Sequence, residues 1–304
     1  MKRFYSNGKL LLTGEYVVLD GAIALALPTK MGQTLEVRQR GEPEILWKSY
    51  DEKNQKWFED EFHLKGSEVV GAKNEEVSKR LASILTEAHK KNPALLSAVG
   101  GYEVSAYLHF NRSWGLGSSS TLINNIAQWF GTDAYWLLKQ TFGGSGYDIA
   151  AAQHDQPILY SLEEGKPNVL TSSFDPPFKE SLFFVHLNRK QDSRKAIEQY
   201  RTQPQEQLKA AISKINGLTH KILTCDGLEE FKLLVEIHET LISQLINIPK
   251  IKTQLFPDYH GAIKSLGGWG GDFILATGGE AEKKYFRGKG YETVVDYSDM
   301  VLSL

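Results

Sequence analysis

Cysteine is almost absent from this sequence: Cys225 stands alone among 304 residues. One thiol cannot close an internal disulfide or build a multi-cysteine metal site, and cysteine used this sparingly fits a reducing compartment. An excess of charge is missing too. Lys and Arg total 35 against 37 Asp and Glu, a net charge of −2, with no long block of one sign. That leaves no electrostatic attraction to nucleic acid or an anionic membrane. Long hydrophobic runs are also lacking. The longest uncharged stretch, 113–132, is full of Ser, Asn and Gln and cannot span a bilayer. At the start, "MKRFYSNGKLLLTGEYVVLDG" carries a short apolar run, but Glu15 and Asp20 interrupt it, so it does not read as a signal peptide. The expectation is a soluble cytoplasmic protein.

What is present is ordinary globular material: 41% hydrophobic and 24% charged residues, enough chain for one large or two ordinary domains. The first 65 residues read as strands with one wet face, with an Asp20–Gly21 turn between two apolar runs. Residues 75–91 carry a helical stripe of Val77, Leu81, Ile84, Leu85 and Ala88. "YEVSAYLHF" (102–110) alternates as a strand, and a short helix is expected at 133–140. Beyond Pro176–Pro177 come a strand at 181–187, helices near 205–223 and 228–246, a glycine loop running into a strand, a helix at 280–287 and a last strand in "YETVVDY". We expect domains at 1–177 and 178–304, the second a compact α+β unit.

Between strand and helix lies "NRSWGLGSSSTLINNIAQWFG", 111–131. Leu122, Ile123, Ile126, Ala127 and Phe130 recur at helical spacing, which puts Gly115, Gly117 and Ser118 to Ser120 at the helix N-terminus. Free N–H groups and the positive end of the helix dipole make that a cradle for phosphate; an ordinary serine cap is the alternative. Other sites are excluded by spacing. Around Ser145 the chain reads "GGSGY", without the last glycine of a nucleophile elbow. Gly8–Lys9 lacks the partner glycine of a G-x-x-x-x-G-K-[ST] loop, and His238–Glu239 lacks the second histidine of a zinc helix.

Four segments, in order, resemble the GHMP kinases, the group named for galactokinase, homoserine, mevalonate and phosphomevalonate kinases. "SNGKLLLTGEYVVLDG" is similar to that family's P-G-K…G-E-[HY] opening, and "WGLGSSSTL" to its G-L-G-S-S-A phosphate loop. "GGSGYDIAAA" is similar to G-S-G-x-D-x-A, and "KSLGGWGGDFILAT" to the closing S-G-A-G-G-G-D loop. The "GYDIA" stretch places the resemblance nearest the mevalonate and phosphomevalonate kinases. It implies an α+β fold with a β-rich N-terminal domain and a ferredoxin-like C-terminal domain, and a phosphoryl transfer from ATP with Mg²⁺ along their interface.

The resemblance also implies roles. Gly115, Leu116, Gly117, Ser118, Ser119 and Ser120 would hold the phosphates, with Ser119 on Mg²⁺. Asp148 would take the proton of the acceptor hydroxyl, the alternative being a helix cap, and Lys9 would contact that aspartate and the moving phosphoryl group. Glu15, Tyr16, Gly268 and Gly270 would line the acceptor pocket, and Arg194, from the basic "NRKQDSRKAI", would meet an anionic acceptor. The pattern is broken at Ser120, which replaces alanine, and at Leu137, where many members carry a magnesium-binding glutamate.

Mevalonate and phosphomevalonate are the favoured acceptors. A homoserine or sugar kinase, a diphosphomevalonate decarboxylase and a non-catalytic ATP or metabolite sensor are the rivals, the last supported by Leu137. Partners are then ATP and a small molecule, with a homodimer as the candidate assembly.

Overall fold

A computed structural model of the chain describes residues 1–97, 100–189 and 194–302, with the side chains of Ser97, Arg194, Lys195 and Ala196 outside that description. The chain forms two compact units: residues 1–8, 31–112 and 116–153 make the first, and 9–30, 113–115 and 154–304 the second. The opening glycine segment therefore groups with the C-terminal half. Strands β1 (Lys2–Leu11) and β2 (Ala24–Arg40) contribute residues to both units, and they pair with each other.

In the first unit β2 pairs antiparallel with β6 (Gly101–Leu108), from Gln33 opposite Leu108 to Arg40 opposite Gly101. Then come β3 (Ile45–Tyr50), parallel to β6, and the antiparallel β4 (Lys56–Lys65) and β5 (Glu68–Gly71). The β3–β4 turn is closed by Asp51, whose Oδ1 accepts the N–H groups of Lys53 and Gln55. Helices α1 (Glu76–Lys91), α2 (Pro93–Ser97), α3 (Ser118–Phe130), α4 (Ala134–Thr141) and α5 (Tyr147–Ala152) follow. The expected stripes meet in one core: Leu81, Ile84 and Leu85 with Ile123, Ile126 and Phe130, against Trp47, Phe62 and Val104 of the sheet.

In the second unit Ala24–Ala26 of β2 pair with β7 (Ile158–Glu163), which pairs with β8 (Lys166–Thr171). A separate antiparallel sheet has the order β10-β11-β9-β12, from β9 (Leu182–His186), β10 (Ile263–Ser265), β11 (Phe273–Thr277) and β12 (Val294–Asp296). Helices α6 (Arg194–Arg201), α7 (Gln205–Leu223), α8 (Leu228–Ile246) and α9 (Ile251–Leu255) lie between β9 and β10, and α10 (Glu280–Gly288) between β11 and β12. That strand order and those crossovers are the ferredoxin-like arrangement the resemblance implied. A short α11 (Tyr297–Met300) ends the described chain.

Two local readings give way. The apolar run after Glu15 forms a 3₁₀ turn at Val17–Asp20 rather than a strand, because Gly14 (φ +86°) and Tyr16 (φ +65°) turn the backbone out of extended geometry. The last expected strand keeps only Val294–Asp296, after which Tyr297 opens α11 and buries its ring, 1% exposed.

Candidate active site

In the first unit, α3 starts at Gly117, which sits at φ +87°, a conformation that suits glycine. The three serines that follow are not equivalent. Ser120 is buried and its hydroxyl donates back to the Gly117 carbonyl at 2.9 Å, whereas Ser118 is half-buried and Ser119 exposed. The first backbone N–H groups of a helix have no partner within it, so the positive end of a thirteen-residue helix opens at Ser119. Leu116, just before, is fully buried and anchors the loop.

A buried polar network fixes this helix end from below. Thr121 Oγ1 donates to Gln33 Oε1 at 2.7 Å and Asn125 Nδ2 to the Gln33 carbonyl at 2.9 Å. Asn124 Nδ2 donates to Ser6 Oγ at 2.9 Å, and Ser6 Oγ to Asn125 Oδ1 at 2.8 Å. Gln153 Nε2, at the end of α5, donates to Asn124 Oδ1 at 2.9 Å. Satisfied networks of this kind select one arrangement of the groups they join. The helices α3 and α5 pack side by side, and the network joins α3 to the end of the helix that carries Asp148.

Asp148 is half-buried in the first turn of α5, which Gly146 opens at φ +89°, and its Oδ1 accepts the Ile149 N–H at 3.1 Å. Nearby, the Tyr135 phenol is pushed up to about 12, by burial first and then by the charges of Asp133 and Asp148. Leu137, 0% exposed, lies in the core, so α4 presents no carboxylate at that position. Asp133 is committed to capping α4, its Oδ1 accepting the Trp136 N–H at 2.9 Å. Among the described residues no cluster of three or more His, Cys, Asp and Glu could hold a metal.

The second unit holds Lys9, Gly115, Glu15, Tyr16, Gly268 and Gly270. Lys9 Nζ donates to the Gly115 carbonyl at 3.0 Å. Gly115 sits at φ +66°, and a Cβ there would come within 2.3 Å of Asp272 Oδ2. No residue but glycine fits so close to the end of the 266–272 loop. That loop turns through positive φ at Gly267, Trp269, Gly270 and Asp272, and the Asp272 carbonyl accepts the Leu187 N–H at 2.7 Å. Lys9, Trp114, Gly115, Gly267 and Asp272 line one small pocket. Gly268 is half-buried; a Cβ on Gly270 would lie 3.9 Å from the Arg189 guanidinium. The side chain of Arg194 lies outside the described residues.

Glu15 is 1% exposed and ion-paired with Lys264, itself 1% exposed. Lys264 Nζ also lies 3.2 Å from Glu239 Oε1, and Glu239 accepts the Ser265 N–H at 3.0 Å and its hydroxyl at 2.9 Å. His238 Nε2 accepts the Gly14 N–H at 3.2 Å. Burial raises the Glu15 carboxyl to about 7, outweighing the attraction of Lys264, and burial raises Glu239 as well. Lys264 is desolvated too, yet its two carboxylate neighbours hold it protonated and raise it; burial, then Lys264, pushes His238 well below its usual range. The sequence names Glu15 as an acceptor-pocket residue and His238–Glu239 only as a pair that fails as a zinc helix; it does not join them to Lys264. The signal was there: His238 and Glu239 sit on the apolar stripe of α8 between Leu234–Val235 and Ile242, and Lys264 lies between buried Ile263 and Ser265.

No protein-family model matches the sequence, and no curated protein matches it. Solved structures do. Mevalonate kinase of Methanococcus jannaschii superposes with a TM-score of 0.68 at 17% identity, over 96% of each chain. Streptococcus pneumoniae phosphomevalonate kinase, solved with phosphomevalonate and AMPPNP, gives 0.67 at 16% identity, over 99% of this chain and 98% of that one. Lactococcus lactis galactokinase, solved with galactose, gives 0.68 at 15%, over 99% and 94%. At such identities the likeness is one of fold, and it runs the full length of the chain. The fold of this chain is that of the GHMP kinases.

Proposed function

We propose that this protein is a small-molecule kinase of the cytoplasm that transfers the γ-phosphoryl group of ATP to mevalonate or phosphomevalonate. The observation that carries the reading is the start of α3: Gly117 at φ +87°, Ser119 exposed, and the helix end tied down from beneath by Gln33 and Ser6 through Thr121, Asn124 and Asn125. Phosphoryl transfer asks mainly for positioning and charge stabilisation, and a rigid helix N-terminus supplies both. Gly115, Leu116, Gly117, Ser118 and Ser120 shape the cradle.

The donor set suits magnesium only in company. With no carboxylate cluster among the described residues, Mg²⁺ would be held by Ser119, phosphate oxygens and water, as this ion tolerates. Bound there, it would neutralise phosphate charge. With mevalonate, Asp148 takes the proton from the acceptor hydroxyl as that oxygen bonds to the γ-phosphorus and the bond to the β–γ bridging oxygen breaks; with phosphomevalonate the attacking oxygen is that of an ionised phosphate, which carries no proton to remove. Lys9 steadies the transferred group. Tyr16, Gly268 and Gly270 shape the acceptor side, with buried Glu15 paired to Lys264, and Arg194, whose side chain lies outside the described residues, is the cation that would meet an anionic acceptor.

Phosphorus NMR tests the reading: incubation with Mg·ATP and either acceptor yields a new phosphate monoester or diphosphate resonance with ADP. Unchanged spectra with both acceptors overturn it. A second reading, a nucleotide-binding sensor without turnover, draws on Leu137, which is core rather than ligand; nucleotide binding with those unchanged spectra would favour it.

A further inference from the structure

We propose that Lys264 is a positioning residue: its ammonium locks the segment after the first glycine turn and the start of the 266–272 loop into one arrangement on the acceptor side. This rests on the kinase reading above. The Lys264 ammonium has three hydrogens and three acceptors: Glu15 Oε1, which accepts whether or not Oε2 carries a proton, Glu239 Oε1 at 3.2 Å and the Ser265 carbonyl at 2.5 Å. Each acceptor belongs to a different segment or anchors one. Glu15 lies between Gly14 and Tyr16, both at positive φ, and a tyrosine at +65° persists only where its surroundings enforce it. Glu239 is fixed on α8 and returns two bonds to Ser265. Ser265 leads directly into the loop in which Trp269, fully buried at φ +49°, sets its ring 5.6 Å from Lys264 Nζ.

A wholly buried ion cluster is a poor device for stability, since apolar residues of the same volume do as well or better. What it can do is fix a single geometry. Here both segments it joins, Glu15–Tyr16 and 266–272, are ones the kinase reading assigns to the acceptor. The groups that face Lys264 are Glu15, Glu239, Ser265 and the Trp269 ring, with His238 beyond Glu15.

The test compares wild type, Lys264→Arg, Lys264→Met and the charge-free Glu15→Gln/Lys264→Met/Glu239→Gln variant. Two quantities are read: acceptor KM beside ATP KM from ADP release, and acrylamide quenching of Trp269, isolated by subtracting a Trp269→Phe partner of each protein. Lys264→Met is expected to raise acceptor KM about tenfold with ATP KM held within about threefold. Trp269 becomes more accessible to the quencher, and Lys264→Arg restores both readouts. Where Lys264→Met does not fold, the charge-free variant gives the same two changes. An unchanged acceptor KM, a parallel rise in ATP KM, or unchanged quenching overturns the proposal. If wild type turns over no acceptor, the kinase reading falls and quenching alone decides whether Lys264 holds the loop.

Discussion

Glu15 Oε2 lies 3.5 Å from His238 Nε2, a nitrogen that already accepts the Gly14 N–H. Two electron-rich atoms thus face each other inside the protein, an arrangement relieved when Glu15 carries a proton. Burial has the same effect, raising the Glu15 carboxyl from 4.5 to about 7. Between those values the folded state holds a proton that the unfolded chain releases, so the stability from this group is lost as pH rises toward 7 and is flat above it. His238, depressed by burial and Lys264, acts in the opposite sense below its ordinary 6.5. Subtracting the Glu15→Gln protein isolates the carboxyl. The wild-type-minus-variant difference in unfolding free energy, followed by urea from about pH 5 to about pH 8, should fall with rising pH. A flat difference contradicts the assignment.

Asp148→Asn keeps the shape of the side chain and removes its basicity. Turnover on mevalonate, whose acceptor is a hydroxyl, is expected to fall by roughly 10²–10⁴, the range of a general base. ATP affinity, measured by calorimetry, should stay close to wild type. Unchanged turnover would leave Asp148 as nothing more than the first-turn acceptor for the Ile149 N–H.

Lys9→Ala removes the donor to the Gly115 carbonyl, a half-buried contact worth about 1 kcal/mol. A small loss of stability and a large loss of kcat are expected together. An effect confined to nucleotide affinity would reduce Lys9 to a prop for the loop.

Gly115→Ala and Gly131→Ala separate backbone strain from contact. Both glycines lie near φ +65°, but a Cβ meets nothing at Gly131 and strikes Asp272 at Gly115. Gly131→Ala should cost about 1–2 kcal/mol from the left-handed backbone alone. Gly115→Ala should cost more and displace Asp272. Equal losses in urea unfolding would show that the approach to Asp272 is unimportant.

Much of the fold was legible because its cores are periodic: the α1 and α3 stripes, the β6 alternation and the α7–α8 pair all lie where hydrophobic spacing puts them. Short elements were not. Strand β8 has a largely exposed pattern, and α9 spans five residues, too few for either period to register. Val17–Leu19 reads as strand because its apolar content is real, while the tight positive-φ turn at Tyr16 is flanked by contacts far along the chain, Glu15 with Lys264 and the Tyr16 ring with Tyr200. The glycine–serine helix start was visible as local chemistry. The Glu15–Lys264–Glu239 cluster, joining residues up to 249 positions apart, was visible only as polar residues on apolar stripes.

ADP release by wild type and Asp148→Asn, with Mg·ATP against mevalonate, phosphomevalonate, diphosphomevalonate, homoserine and galactose, tests the central claim most directly. Turnover on mevalonate, reduced by roughly 10²–10⁴ in the variant, or turnover on phosphomevalonate is the expected result. ATP binding with no release on any acceptor would contradict a kinase and leave a nucleotide sensor, with Leu137 as the residue that explains it.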